Sequence, residues 1–102
     1  MNNSPESIKI KQTRRAVLRN LDLVYPSGLG MQMLYQTVCA IDVMYDFNLF
    51  AKDIEYLRAK GYIYFVDDEI GGADSFRNKV GKLTAEGLEI AQKITKDRAL
   101  EI

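Results

Sequence analysis

Two groups of cations are the residues of this chain best suited to chemistry. Lys9, Lys11, Arg14, Arg15 and Arg19 form the denser group, and Arg77, Lys79 and Lys82 the second. Such side chains can hold phosphate oxygens, a contact that positions a nucleic acid without reading its sequence. The same residues also suit a solvated helix face and a hairpin tip of mixed charge. Asp67-Asp68-Glu69 lies just before the second group and would repel phosphate. That run reads as a solvated turn, because it lacks the alternating ligands of a calcium loop.

Other chemistry has little material. The chain holds no histidine, which removes histidine triads, histidine general bases and most zinc chemistry. Cys39 is the single cysteine, so no intrachain disulfide and no multi-cysteine zinc site can form. It falls on the apolar side of a predicted helix and reads as a small core residue. Gly71-Gly72 lacks the lysine and spacing of a phosphate-binding loop, and Gly28-x-Gly30 is too weak a signal alone. No catalytic residue, metal site or cofactor is expected, so the chain does not read as an enzyme.

The 102 residues give room for one domain, 1–102, with a modest core, and 47% apolar content argues against disorder. The formal net charge is zero, yet it is unevenly spread: +4 over residues 1–20, −6 over 21–76 and +2 over 77–102. Any pull on a polyanion must therefore come from local clusters. Neither a signal peptide nor a run of membrane-spanning length is visible, and a cytoplasmic protein without membrane contact is expected.

The elements that must position these residues follow from periodicity. Residues 1–7 are expected as a disordered lead, although Ser4-Pro5-Glu6 has the make-up of a helix start. From Ile8 to Val24 the pattern is helical, with Val17, Leu21 and Val24 on one face and Leu18 beside it. Tyr25-Pro26-Ser27-Gly28 ends that helix. A short strand fits around Ser27 to Leu29. Met31, Leu34, Tyr35 and Val38 make a second stripe, which Cys39 and Ile41 can extend. A third helix runs from Asp46 or Asn48 to Lys60, with Phe50, Ile54 and Leu57 inward and Lys52, Glu55, Tyr56 and Ala59 outward. Gly61 after Arg58 and Lys60 suits a helix C-cap. Tyr62 to Val66 reads as a strand, Gly71-Gly72 as a turn flanked by Ile70 and Phe76, and Lys79 to Leu83 as the returning strand. Thr84 then caps a last helix that continues past Lys96.

Two segments, YLRAKGYI (Tyr56 to Ile63) and KLTAEGLEIA (Lys82 to Ala91), resemble the second half of a winged helix-turn-helix domain. Many bacterial winged-helix regulators show "LxxKGxI", a variable wing, then "LTxxG". The whole chain also resembles, more loosely, the small winged-helix proteins of Mu-like phages and prophages. The resemblance implies an α+β winged helix-turn-helix fold: a three-helix core, a two-stranded wing and a C-terminal helix. It further implies a double-stranded DNA-binding protein, a small transcriptional or phage regulatory factor. The third helix would enter the major groove, where Asn48, Lys52, Glu55 and Tyr56 offer donors and acceptors to base edges. Arg77, Lys79 and Lys82, with Arg14, Arg15 and Arg19, would hold the backbone. A homodimer through Leu88 to Ile102 is expected, since many winged-helix proteins pair through terminal helices. The alternative is a winged-helix protein-interaction module without DNA binding, which the acidic middle of the chain favours.

Overall fold

The computed structural model describes residues 5–41, 45–66 and 79–96, with side chains described over 12–40, 45–66 and 79–93. Helix α1 spans Pro5–Val24, strand β1 Leu29–Gly30, helix α2 Met31–Val38 and helix α3 Phe47–Ala59. Strands β2, Ile63–Val66, and β3, Val80–Leu83, precede helix α4, Ala85–Lys96. A single 3-10 turn, Cys39–Ile41, follows α2 and tightens its end, so Cys39 lies beyond the α-helix proper. The three strands form one antiparallel sheet in the order β1-β3-β2. Leu29 pairs with Gly81 and Gly30 with Val80, so the expected short strand exists and completes the sheet on its second edge.

The apolar stripes do what their spacing requires. Val17, Leu18, Leu21, Met31, Leu34, Val38, Phe50, Ile54 and Leu57 are fully buried. Val24, expected on the first stripe, is only half-buried in the last turn of α1. Helix α1 packs along α4 and also against α2, α3 and β3, so it runs through the middle of the fold. Tyr35, Tyr45, Phe47 and Phe50 close the junction between α2 and α3, with Tyr35 meeting Phe47 edge-on at 5.1 Å and Phe50 at 5.5 Å. Stacked and edge-on rings at these separations fix a crossing more sharply than area burial alone.

Both ends of α3 are chemically capped. Of the two candidate N-caps, Asp46 is the one used, its carboxylate accepting from the Leu49 N–H at 2.9 Å. At the other end Gly61 adopts φ of 79°, a left-handed conformation that glycine takes without steric penalty. There the Gly61 N–H donates to the Arg58 carbonyl at 2.9 Å and the Tyr62 N–H to the Leu57 carbonyl at 3.0 Å. This is a Schellman closure, and it delivers the chain directly into β2.

Thr84 joins that closure to α4. Its hydroxyl donates to the Gly61 carbonyl at 2.6 Å and accepts from the Gly87 N–H at 2.9 Å. Gly87 is needed for a second reason. A Cβ there would collide with the Tyr62 carbonyl, so the first turn of α4 rests on the backbone leading into β2. The two quoted segments are thus in physical contact.

Ile63 pairs with Leu83, Tyr64 with Lys82, Phe65 with Gly81 and Val66 with Val80. Alternation along the strands puts Ile63, Phe65, Gly81 and Leu83 on the core side and Tyr64, Val66, Val80 and Lys82 on the outer side. The expectations for Asp67 to Glu69, Ile70, Gly71, Gly72, Phe76 and Arg77 lie outside the described residues. So do those for Leu100 and Ile102, and for the side chains of Lys9, Lys11 and Ile41.

Candidate nucleic-acid interface

The outer face of α3 is the centre of the candidate site. Asn48, Lys52, Glu55 and Ala59 are exposed, as the periodicity predicts, and Leu49 joins them at 42% exposure. Glu55 is not isolated: it accepts from Arg58 at 2.7 Å in a surface pair three residues apart. Tyr56 is half-buried, because the Arg14 guanidinium lies over its ring, 3.6 Å from the centroid, with the Lys60 ammonium at 5.6 Å. The face therefore divides. Its first half presents an amide, an apolar side chain and a cation to solvent, whereas Glu55 and Tyr56 in its second half make contacts within the protein.

Arg14 takes a different place from the one its sequence neighbours suggest. Its Nε donates to Asp53 Oδ1 at 3.2 Å, and its side chain is 20% exposed. Asp53 itself is buried on the inner flank of α3 and accepts from the Thr13 hydroxyl at 2.8 Å and the Tyr45 hydroxyl at 2.6 Å. One carboxylate thus gathers a threonine and an arginine from α1 and the tyrosine that precedes α3. Burial, reinforced by the hydrogen bond to Asp53 and its charge, pushes the Tyr45 hydroxyl well above the ordinary tyrosine value. Tyr45 remains a donor throughout the neutral range. The polar cluster fixes the angle at which α3 lies on α1.

Among the described residues, Arg14, Arg15 and Arg19 consequently do not form one patch. Thr13 and Arg14 face α3, and about 100° per residue turns half-buried Arg15 and exposed Arg19 towards the opposite side of α1. Lys79 and Lys82, the described members of the second group, part as well. Lys79 reaches the core side of the sheet, its ammonium 5.1 Å from the Phe65 ring centroid. Lys82 lies on the outer side, where its stem passes over Gly28.

A further pairing involves Lys79. The Arg58 guanidinium sits 4.7 Å from the same Phe65 ring. Arg58, from the last turn of α3, and Lys79, from the base of the wing, share one aromatic side chain at the seam between the two elements. The ring quadrupole attracts each cation. Periodicity assigned Arg58 only to helix capping, and its pairing with Lys79 depends on the strand register, which sequence spacing does not supply. Among the described residues, no three histidine, cysteine, aspartate or glutamate side chains converge to hold a metal. No helix among them is long and apolar enough to cross a membrane.

Helices α2 and α3 meeting through an aromatic junction, followed by a β2–β3 wing and a closing helix, define a winged helix. Solved structures with a similar backbone include SSV1 F-93, with a TM-score of 0.58 and 19% identity over 81% of this chain and 82% of that protein. They also include a MepR mutant from a multidrug-resistant S. aureus clinical isolate, again with a TM-score of 0.58 and 19% identity. That match covers 90% of this chain and 64% of MepR, so the chain spans less than two thirds of MepR's length. At this level of identity the likeness establishes the fold. No protein-family model matches the chain, and no curated protein matches it in sequence.

Proposed function

We propose that this protein binds double-stranded DNA as a small regulatory protein. Helix α3 enters the major groove, with Asn48 and Lys52 facing base edges and Glu55 and Tyr56 supporting the deeper half of the helix. Arg58 and Lys79 hold the phosphate backbone at the seam between α3 and the wing, and Arg77 extends the contact along the wing. The observation that carries this reading is the convergence of those two cations on Phe65 beside an exposed helix face. Arg14 acts behind the interface, as the residue that sets the pitch of α3. Arg15, Arg19 and Lys82 reach DNA only where it follows the flanks of the protein. A homodimer through Leu88 to Ile102, in the manner of winged-helix proteins that pair through terminal helices, and a phage-like regulatory role, suggested by the looser resemblance of the whole chain, complete the proposal.

Fluorescence anisotropy against a random duplex pool, over a salt series, tests it. Binding should weaken steeply with salt, because phosphate contacts release counterions. Replacing Arg58 and Lys79 by alanine should lower affinity for all sequences and reduce the salt slope by about one per lost contact. No binding at low salt sinks the proposal. It would leave the protein-interaction module as the better account, for which exposed Leu23 and Met33 offer apolar contact.

A further inference from the structure

We propose that the first turn of α3 selects A·T base pairs, with Asn48 reading adenine and Leu49 packing on the thymine methyl group. The inference rests on the DNA-binding reading above and adds the chemistry that it recognises.

Three observations converge. Leu49 is an aliphatic side chain left 42% exposed, immediately beside exposed Asn48 and near exposed Lys52. Deeper on that face Tyr56 is covered by Arg14, and Glu55 is an acid in a solvated pair with Arg58. Asn48, Leu49 and Lys52 are the exposed residues nearest the start of the helix. Finally, the Asp46 carboxylate occupies the Leu49 N–H. It places a negative charge where a phosphate would otherwise settle and holds the turn in one conformation, so this turn suits base edges better than backbone.

The chemistry of the groove then decides the base. Thymine's C5-methyl is the apolar group that base pairs present in the major groove, and an exposed leucine matches it. A carboxamide matches the N7 acceptor and N6 donor of adenine in a bidentate pair. Lys52 falls between the two on the helix surface and can take a guanine or a phosphate oxygen nearby. Asn48 and Leu49 side by side thus call for adenine and thymine close together along the groove.

The test starts from duplexes selected by the full chain out of a random pool. In the selected duplex each thymine is replaced by uracil, which removes only the methyl group, and each adenine by 7-deazaadenine, which removes only N7. At one thymine, uracil should weaken wild-type binding about fourfold, the worth of one buried methyl. At one adenine, the deaza base should weaken it about tenfold. Leu49→Ala should become indifferent to uracil while still sensing the deaza base, and Asn48→Ala should show the reverse. Alanine is the strongest helix former, so neither exposed substitution endangers the fold. Wild type and Leu49→Ala responding alike to uracil would overturn the proposal. So would a pool that binds but yields no A·T-containing preference, an outcome that leaves DNA binding itself intact. Absence of binding to every duplex overturns the DNA reading and this inference together.

Discussion

Two arginines, Arg14 and Arg58, show how differently one residue type is used at the two edges of α3. Arg14 stands in the densest run of cations in the sequence, yet its guanidinium is drawn inward between Asp53 and Tyr56. Arg58 stands in a segment with a net charge of −6, yet it is 41% exposed and meets Lys79 over Phe65. A helix spreads consecutive residues around its circumference, and a sheet brings distant ones to the same ring. Linear charge density is therefore a poor guide to an electrostatic surface in a small α+β fold. A buried carboxylate claims the nearest cation first, because an unpaired charge in the interior is far more costly than an unmade surface contact.

The sharpest way to break this comparison is to remove the carboxylate. Asp53→Ala strands Arg14, Thr13 and Tyr45 together and should destabilise the fold by about 3–5 kcal/mol, read from the denaturant midpoint. A midpoint shift below about 1 kcal/mol would mean that Arg14 is no more structural than a surface arginine. Next in size is Leu57→Ala, on the fully buried stripe of the same helix. The expected loss is about 2–5 kcal/mol, and a barely moved midpoint would show that α3 presents another face to the core.

Alkaline pH offers a third probe. Tyr45 keeps its proton in the folded state above the ordinary value of 10.0, at which the unfolded chain releases it. The stabilisation it contributes is thus complete below pH 10.0 and declines as the pH rises beyond it. The native state then binds more protons than the unfolded one, and stability should fall by about 1.4 kcal/mol per pH unit relative to Tyr45→Phe. Parallel curves for the two proteins between pH 10 and 11 would contradict the buried hydrogen bond to Asp53.

Arg58→Ala should have the smallest effect on folding, at most about 1 kcal/mol, because its pair with Glu55 is solvated. On DNA it should act where the Asp53 variant does not, lowering the salt slope by about one. A loss of stability comparable to that of Asp53→Ala would erase the distinction between the two arginines.

Most of the architecture was legible because local rules and global packing agree. Phe50, Ile54 and Leu57 repeat at helical spacing and are buried. Gly61 and Thr84 cap as their chemistry dictates, and the two predicted wing strands are displaced by a single residue at their starts. Asp53 was not legible. It sits beside Ile54 at the edge of the stripe, where a charged residue reads as one more surface acid to set against Lys52 and Arg58. Its partners Thr13 and Arg14 lie forty and thirty-nine residues away, and a pattern confined to one helix carries no trace of them. The site was legible to the same degree. The outward face of α3 was readable from periodicity, and the seam at Phe65 waited on strand register.

The packing of α1 also bears on how the chain acquires its structure. The buried side of α1 is closed by α4, and the centre of the sheet, β3, is paired on one edge by the early strand β1 and on the other by β2. The earliest elements thus find their partners only after β3 and α4 have left the ribosome. Until then Val17, Leu18 and Leu21 have no complete apolar enclosure, and β1 has no neighbour. Such long-range closure favours one concerted transition over stepwise assembly from the N-terminal side. A nascent chain halted before Val80 would be a substrate for chaperones rather than a partly working domain.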